Sequence, residues 1–373
     1  MTTLRAGIIG LSWIAADPPG PATDPVLGTA PPYSHASAMA AIGGIDVVAA
    51  CDVTASAVDR FRSQWGQRWP DVTYYDDGLE LLASEDLDLV SVVTPDHLHA
   101  PFVTAAAERG VSMIFCDKPL ATSIDDAAQM LECVVTSGST LAVNHTHRWD
   151  PGIVAARSLV DQGDLGALAQ VIITTGGPRA MLFRNLSHAL DTAAFLAGTA
   201  AEWVIAELEH GSPEYGTVYR GDGGRDPALD PGAIINIGFQ DGVRGYVSGL
   251  KAAPGDRSIE VLCEEGRIVI DPLGARVIRT PRSNDGTPGS VTGPTISPLR
   301  VVSTLTGMQA GLRDLIAAHQ EGREPTSSVY SAFQTVALLD ATLRSSAKGQ
   351  ERVAVRKPDR VRAQTAEDPP HAL

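Results

Sequence analysis

Cysteine is scarce in this sequence, and no two cysteines lie close together. The chain has four, Cys51, Cys116, Cys133 and Cys263, and they do not form the C-x-x-C pair that many zinc sites use. We therefore expect buried free thiols in a reducing compartment, with neither a disulfide framework nor a zinc site.

Long hydrophobic runs are also missing. No uninterrupted apolar stretch reaches the roughly 18 residues that a membrane-spanning helix needs. The first residues lead straight into a strand-like run, without the charged leader and apolar core of a signal peptide. These absences predict a cytoplasmic protein that has no membrane partner.

The sequence has fewer basic than acidic residues. The chain has 29 Lys and Arg residues against 44 Asp and Glu residues, which gives a formal net charge of -15. A protein that binds nucleic-acid phosphates normally carries a basic face, so we expect no nucleic-acid partner. The 373 residues predict two domains, because one domain usually has roughly 100–200 residues.

The chain opens with a degenerate dinucleotide-binding motif. The run 4–10 predicts a buried strand, and Gly10 and Ala15 supply the small residues that a tight turn and a packed helix need. Ser12 stands where a second glycine is usual. The cofactor-binding candidates in this turn are Gly10, Ser12, Trp13 and Ile14.

A Pro-rich stretch, 17–32, follows this motif and cannot continue a helix, because proline lacks the amide donor. We interpret it as an insertion, which is either a surface loop, a flap over the cofactor or a contact between subunits.

The second predicted strand, 45–52, ends in Asp52. A carboxylate there can accept hydrogen bonds from both ribose hydroxyls of NAD and would repel the 2'-phosphate of NADP. Asp52 therefore favours NAD over NADP. The alternative is that Asp52 only caps the helix that begins near Thr54.

Three further predicted strands end in polar residues, and strands and helices alternate throughout this half. That alternation predicts a doubly wound parallel sheet, which binds ligands at the carboxyl ends of its strands. The candidates at these ends are Thr94, Pro95, His97, His99, Asp117, Lys118 and Asn144. The pair His97 and His99 also allows a metal site, but no further carboxylate or cysteine accompanies it, so we predict no metal.

The second half has strand-like runs between residues 169 and 271, a predicted hairpin turn at 264–266 and a helix at 186–197. The segments 217–231 and 281–298 exceed ordinary connections, which predicts lids, interface arms or disordered loops. Helices at 304–321 and 331–348 are expected to pack back on the first half.

These motifs, in this order, resemble the glucose-fructose oxidoreductase and inositol dehydrogenase family, called Gfo/Idh/MocA. The likeness covers nearly the whole chain. Its matching stretches are 7–15, Asp52, 94–99, 117–119, Asn144 with Arg148, 188–191, 258–266 and 321–325.

The resemblance implies an N-terminal Rossmann domain and a C-terminal α/β domain with a mainly antiparallel open sheet. We place the NAD-binding domain at residues 1–145, the substrate and oligomerisation domain at 146–356, and a disordered tail at 357–373. The resemblance also implies a homodimer or homotetramer, and a carbohydrate or cyclitol as the small-molecule substrate.

The resemblance further implies the roles of the site residues. Lys118 is expected beside the nicotinamide and the reacting hydroxyl, and His188 is expected to act as general base with Asp191 orienting its ring. A histidine pKa near 6.5 suits that role. Together with these three residues, the predicted substrate-binding residues are Arg148, Trp149 and Arg184.

Arg184 departs from the family pattern. Family members commonly carry an aspartate four residues before the histidine that matches His188, and arginine cannot replace it as a base or proton relay. Arg184 could bind an anionic substrate group, pair with an acid of this or another chain and alter the site, or point to solvent.

The sequence therefore predicts an NAD-dependent dehydrogenase that acts on a secondary alcohol of a sugar, sugar derivative or cyclitol. Two alternatives stay open. One is an enzyme that retains and recycles NAD, as a sugar-sugar oxidoreductase or a glycosidase. The other is a non-catalytic, nucleotide-binding regulatory subunit.

Overall fold

Strands and helices alternate through the first part of the chain in the computed structural model, which describes residues 3–17, 33–210, 215–280, 293–301, 305 and 307–358. Most of the Pro-rich insertion, most of the segment 281–298 and the tail beyond residue 358 lie outside the described residues. None of the described helices is long and apolar enough to cross a membrane.

The first sheet has six parallel strands in the order β3-β2-β1-β4-β5-β6. Its strands are β1 (Leu4–Ile9), β2 (Ile45–Cys51), β3 (Thr73–Tyr75), β4 (Leu89–Val92), β5 (Met113–Cys116) and β6 (Thr140–Val143). Its helices are α1 (His35–Ile42), α2 (Ala55–Trp65), α3 (Gly78–Ser84), α4 (His99–Glu108) and α5 (Ile124–Ser137). The predicted doubly wound parallel sheet is confirmed.

Local sequence explains these elements. Every residue of β4 and β5 is buried, as expected for strands that helices cover on both faces. The Ser123 hydroxyl caps α5 by accepting a hydrogen bond from the Asp126 amide at 3.1 Å, and Gly138 ends the helix in the left-handed conformation. The strand order reverses between β1 and β4, and ligands bind at such a reversal in open α/β sheets.

The second sheet has nine strands in the order β14-β13-β12-β11-β7-β10-β9-β8-β15. They are β7 (Leu168–Gly176), β8 (Ala201–Leu208), β9 (Ala233–Phe239), β10 (Arg244–Leu250), β11 (Arg257–Cys263), β12 (Gly266–Asp271), β13 (Gly274–Arg279), β14 (Thr295–Pro298) and β15 (Val353–Ala354). Only the pair β7 and β10 is parallel among the described pairs, so the mainly antiparallel sheet is confirmed.

Two details of this sheet bear on the sequence analysis. The predicted hairpin joins β11 to β12 with Cys263 opposite Gly266, and it is confirmed. The segment 281–298 was expected to be a loop throughout, but its last four residues form β14. Pairing with β13 supplies backbone hydrogen bonds that the Pro- and Gly-rich local sequence does not reveal.

Four helices accompany the second sheet: α6 (Pro151–Asp161), α7 (Leu186–Ala197), α8 (Gly307–Glu321) and α9 (Val329–Ala347). Helix α7 packs on β7 and β10, and α9 packs on α7, β8 and α5. Helix α8 returns to the first sheet, where it contacts α1, β5 and β6. These contacts bring the start of α7 close to the carboxyl ends of the parallel strands.

Candidate active site

A cavity lies where the carboxyl ends of the first sheet meet the residues before α7. Its lining includes seven of the predicted site residues, Trp13, Ile14, Asp117, Lys118, Asn144, Arg184 and His188. Thr146 and Met308 complete the lining. Residues from distant parts of the sequence therefore converge on the edge where a parallel sheet binds its ligand.

In the turn after β1, the backbone at Gly10 lies against the backbone at Val93. Gly10 has a φ of 93°, and a Cβ there would lie 2.5 Å from the Val93 carbonyl oxygen. Ser12 is exposed on this turn. Trp13 has a φ of 53°, which is costly for a non-glycine residue and is often found at functional sites.

The helix that should follow this turn is interrupted. A 3-10 helix covers only Trp13–Ala15, and α1 begins at His35 on the far side of the insertion. The Ser34 hydroxyl donates to the Asp17 carbonyl at 2.6 Å, so the described residues on the two sides of the insertion are in contact.

Asp52 lies at the end of β2 beside the Gly10 turn. Its carboxylate accepts hydrogen bonds from the Leu11 amide at 2.9 Å and from the Thr54 amide at 2.8 Å. Asp52 therefore fixes the turn that precedes α2, but it is not the helix cap that the alternative predicted, because the N-cap residue is Thr54. Asp52 is only partly buried, and each carboxylate oxygen can accept a second hydrogen bond, which leaves it able to bind a ribose hydroxyl.

The strand ends carry polar atoms that fit a dinucleotide. Thr94 Oγ1 and Asn144 Oδ1 are buried and have no hydrogen-bond partner. Buried polar atoms are normally satisfied, so a ligand that donates and accepts hydrogen bonds at this edge would complete them. With the close backbone approach at Gly10, these atoms make the site suitable for NAD.

Lys118 is buried at the end of β5, with its Nζ donating a hydrogen bond to the Arg184 carbonyl oxygen at 2.6 Å. Burial lowers the pKa of Lys118 to about 7, with the Arg184 cation acting in the same direction and Asp117 opposing it. The structure thus places a weakly hydrated amine in the lining of the cavity.

Asp117 lies behind Lys118 and accepts a hydrogen bond from Asn144 Nδ2 at 3.0 Å. His35 Nε2 lies 3.8 Å from the same carboxylate oxygen. Burial raises the pKa of Asp117, but His35 and Lys118 outweigh it and hold that pKa below the usual range. Sequence reasoning missed His35, because no spacing pattern connects a residue of α1 with the end of β5.

His188 lies between this cavity and a larger one of about 650 Å³. His147, Arg179, Asn185, Arg257, Asp256 and Asp271 supply polar lining to the larger cavity. The His188 ring stacks on His147, with 4.6 Å between ring centroids, and its Nδ1 is buried without a partner. One ring can therefore face both compartments.

The chemistry of its partners fixes the His147 tautomer. Arg257 Nη1 lies 2.6 Å from His147 Nε2, and an arginine can only donate, so Nε2 accepts. The hydrogen of His147 is then on Nδ1, which donates to the Thr192 hydroxyl at 3.2 Å. His147 is thereby held neutral against the His188 ring.

The His188 ring is also held neutral. Burial, followed by the neighbouring His147 and Lys118, keeps the pKa of His188 well below its usual value. A neutral imidazole can accept a proton from a substrate hydroxyl. No carboxylate hydrogen-bonds to this ring among the described residues.

Asp191 was expected to orient His188, but the structure places it elsewhere. It accepts hydrogen bonds from Arg148 Nε at 2.9 Å and Arg148 Nη2 at 2.8 Å, and His145 Nδ1 lies 3.3 Å away. Asp191 is fully buried, and a buried charge requires a partner. Arg148 and Asp191 line neither cavity, so they support the site rather than contact a substrate in it.

Trp149 and His99 are among the other predicted residues that line neither cavity. Trp149 packs against α8 at Gly311, where a Cβ would lie 3.1 Å from its ring. His99 is buried, and its ring nitrogens lie 3.0 Å from the Thr94 carbonyl oxygen and 2.9 Å from that of Pro119. His99 thus ties together the ends of β4 and β5.

His97 is half-exposed beside Asp96. In the part of the chain that the structure describes, no group of three or more His, Cys, Asp or Glu side chains could hold a metal ion.

The segment 217–231 covers one side of the site. The Tyr219 hydroxyl donates to Asp96 at 3.1 Å, and the Gly223 carbonyl accepts from Arg184 Nη1 at 3.1 Å. Gly223 also lies close to Pro95. Sequence reasoning missed Asp96, although it lies in the strand-end motif, and nothing in the sequence marked Tyr219.

Known proteins resemble this chain in sequence. A model of an oxidoreductase family with an NAD-binding Rossmann fold, GFO_IDH_MocA, matches residues 4–145. D-apiose dehydrogenase of Paraburkholderia graminis is 27% identical over 342 residues, which cover 85% of this chain and 85% of that protein. Inositol 2-dehydrogenase of Rhizobium meliloti is 25% identical over 339 residues, which cover 85% of this chain and 94% of that protein.

The fold is likewise shared. A crystal structure of an oxidoreductase from Agrobacterium radiobacter, in complex with NAD+, L-tartaric acid and magnesium, superposes with a TM-score of 0.71 at 20% identity. The match covers 95% of this chain and 99% of that one. On this evidence residues 4–145 belong to the Gfo/Idh/MocA oxidoreductase family, as its NAD-binding Rossmann fold.

Proposed function

We propose that the protein is an NAD-dependent dehydrogenase that oxidises a secondary alcohol of a sugar, sugar derivative or cyclitol. The observation that carries this proposal is that Lys118 and His188 line one cavity at the carboxyl edge of the Rossmann sheet. Relatives named as D-apiose and inositol 2-dehydrogenases support the substrate class.

The two side chains have complementary roles. His188, neutral at neutral pH, accepts the hydroxyl proton, while the charged form of Lys118 stabilises the developing alkoxide. Burial of Lys118 strengthens its field on the alkoxide relative to water. NAD, when bound, supplies the hydride acceptor.

We assign the cofactor contacts to the Gly10 turn, Asp52, Thr94 and Asn144. Asp52 favours NAD, because its carboxylate would face the 2'-phosphate of NADP. We also propose that residues 1–145 form the cofactor domain and that the remainder through residue 356 forms the substrate domain.

Replacement of Lys118 tests the proposal. We expect Lys118→Ala to lower kcat by at least about 100-fold, as loss of one charge-stabilising donor typically does. NAD affinity should stay within about twofold, since alanine leaves the Gly10 turn and Asp52 intact. Turnover is measured as NADH absorbance with a panel of sugars, sugar acids and inositols, and affinity by calorimetry.

The exposed cation Arg109, at the far end of α4, provides a matched control as Arg109→Ala. Its kinetics should equal those of the wild type. Substantial activity in Lys118→Ala would refute the role of Lys118, and faster turnover with NADP than with NAD would refute the assignment of Asp52.

A further inference from the structure

Arg184 lines the cavity, and its guanidinium forms no ion pair with a carboxylate of the described residues. Its guanidinium donates to the Gly223 carbonyl and lies 5.0 Å from the centroid of the Trp13 ring. Among the described residues, no acidic side chain forms an ion pair with it. The described residues therefore supply no ion pair for the alternative in which Arg184 pairs with an acid, although the Arg184 cation helps to lower the pKa of Asp117.

A second guanidinium approaches the same ring from the side of the larger cavity. Arg179 lies 5.2 Å from the Trp13 centroid and lines the larger cavity. Asp271 also lines that cavity, but Arg276 binds its carboxylate through two nitrogens, at 3.0 Å and 2.7 Å. Two cations thus flank Trp13, and one of the nearby acids is already neutralised.

In the described part of the chain, no carboxylate forms a hydrogen bond that would stabilise protonated His188. Besides burial, the side chains that lower the pKa of His188 are His147, Lys118, His145 and Arg257, which are neutral or cationic. The buried carboxylate closest along the helix, Asp191, is held by Arg148. Among the described residues, a proton taken from a substrate hydroxyl would therefore find no carboxylate hydrogen-bonded to the His188 ring.

We propose that Arg184 binds an anionic group of the substrate, and that this group replaces the family's missing aspartate as the negative charge beside His188. This inference rests on the proposed dehydrogenase function. The favoured ligand is the carboxylate of a sugar acid, because a planar guanidinium binds a carboxylate through two parallel hydrogen bonds. A phosphate would use the same chemistry and is distinguished by experiment.

The balance of the reaction is that of an alcohol dehydrogenase. The carbinol C–H bond breaks and its hydrogen passes with the electron pair, as a hydride, to NAD, while the hydroxyl proton passes to His188 and a C=O bond forms. The anionic group is not consumed. It holds the substrate and offsets the charge that His188 gains.

Matched substrates test the inference in the NAD-loaded protein. The probes are D-glucose, D-glucuronate and D-glucose 6-phosphate, with D-galactose and D-galacturonate as a second pair. We expect kcat/KM to be at least about tenfold higher for an acid than for its neutral sugar. One charge-assisted hydrogen bond contributes enough free energy to raise kcat/KM about tenfold. A preference for the phosphate over the uronate would identify a sugar phosphate as the source of the anion.

Two variants locate the effect at Arg184. Lys118 donates its hydrogen bond to the backbone carbonyl of Arg184, so replacing the Arg184 side chain keeps this bond. Arg184→Ala should raise KM for the anionic member alone, and Arg184→Asp, which restores the family pattern, should favour the neutral sugar. Arg109→Ala, which removes a distant exposed cation, should leave both constants unchanged.

Salt dependence provides a measurement that needs no variant. Raising sodium chloride from 50 to 500 mM shortens the Debye length from more than 10 Å to about 4 Å, so KM should rise for the acid and stay constant for the neutral sugar. Equal constants for charged and neutral substrates would overturn the inference while leaving the dehydrogenase intact. If no probe is turned over, calorimetry measures the affinity of the protein for the acid and for the neutral sugar. Equal affinities, or no binding of either, would overturn the inference.

Discussion

Lys118 illustrates how one side chain depends on its immediate neighbours. Its sequence context, an apolar strand followed by Asp117 and Pro119, predicted an ammonium at a ligand-binding edge, and the structure places it there. The surroundings then decide its protonation. Burial and Arg184 lower its pKa to about 7, while Asp117 and Asp96 act in the opposite direction and Arg179 adds to the lowering.

The pH dependence of kcat/KM should report this environment. Lys118 supports the alkoxide only when charged, so activity should fall as pH rises through about 7. Arg184→Ala removes a cation that disfavours the charged amine and should move this limb to higher pH. The acid limb, from His188, should lie well below pH 6.5.

The measurement is a pH profile of initial rates for wild type, Arg184→Ala and the Arg109→Ala control. A basic limb that stays in place in Arg184→Ala would contradict the assigned role of Arg184 in setting the pKa of Lys118.

At the scale of elements, a buried ion pair joins three parts of the chain near the site. Arg148 comes from the 3-10 segment before α6, and Asp191 from α7. Thr335 of α9 also donates to Asp191, at 3.2 Å, and Arg148 reaches the Thr326 carbonyl. The pair therefore fixes the segment that carries His147 relative to the helix that carries His188.

Breaking this pair should destabilise the fold. Asp191→Asn leaves the buried Arg148 charge unpaired, and we expect a loss of about 3–5 kcal/mol in the free energy of unfolding. Urea denaturation measures it. The double variant Arg148→Met, Asp191→Leu removes both charges and should recover much of the loss; equal loss in the two variants would show that packing, and not the unpaired charge, sets the cost.

At the scale of the whole molecule, the second sheet has one face that the described helices leave open. Ile172 of β7 pairs with Tyr246 of β10, and both are only half-buried, while the alternate residues Val171 and Val247 are buried against α7. A sheet face of this kind fits contact with a second copy of the chain.

We therefore expect a dimer or tetramer in solution, as the family resemblance implied. Sedimentation velocity of the wild type should give a mass of at least twice 39.1 kDa. Ile172→Asp, which puts a charge on the open face, should shift the protein toward monomer without loss of NAD binding. A wild-type protein that is monomeric at micromolar concentration would contradict this expectation.

The sequence alone determined the local architecture and the edge at which the site forms. Alternating apolar runs set the strands, Ser123 and Gly138 set the ends of α5, and the residues after each parallel strand had to share one edge. These features depend on neighbours a few residues apart or on the general geometry of parallel sheets.

Only the tertiary structure decided which distant side chains meet. It paired Asp191 with Arg148 instead of His188, placed His35 behind Asp117, and brought the segment 217–231 onto Arg184. Several cations were available to each buried carboxylate, and nothing in their sequence spacing ranks them. The choice followed from the packing of α7 and α9, which fixes the distances over which buried charges must find partners.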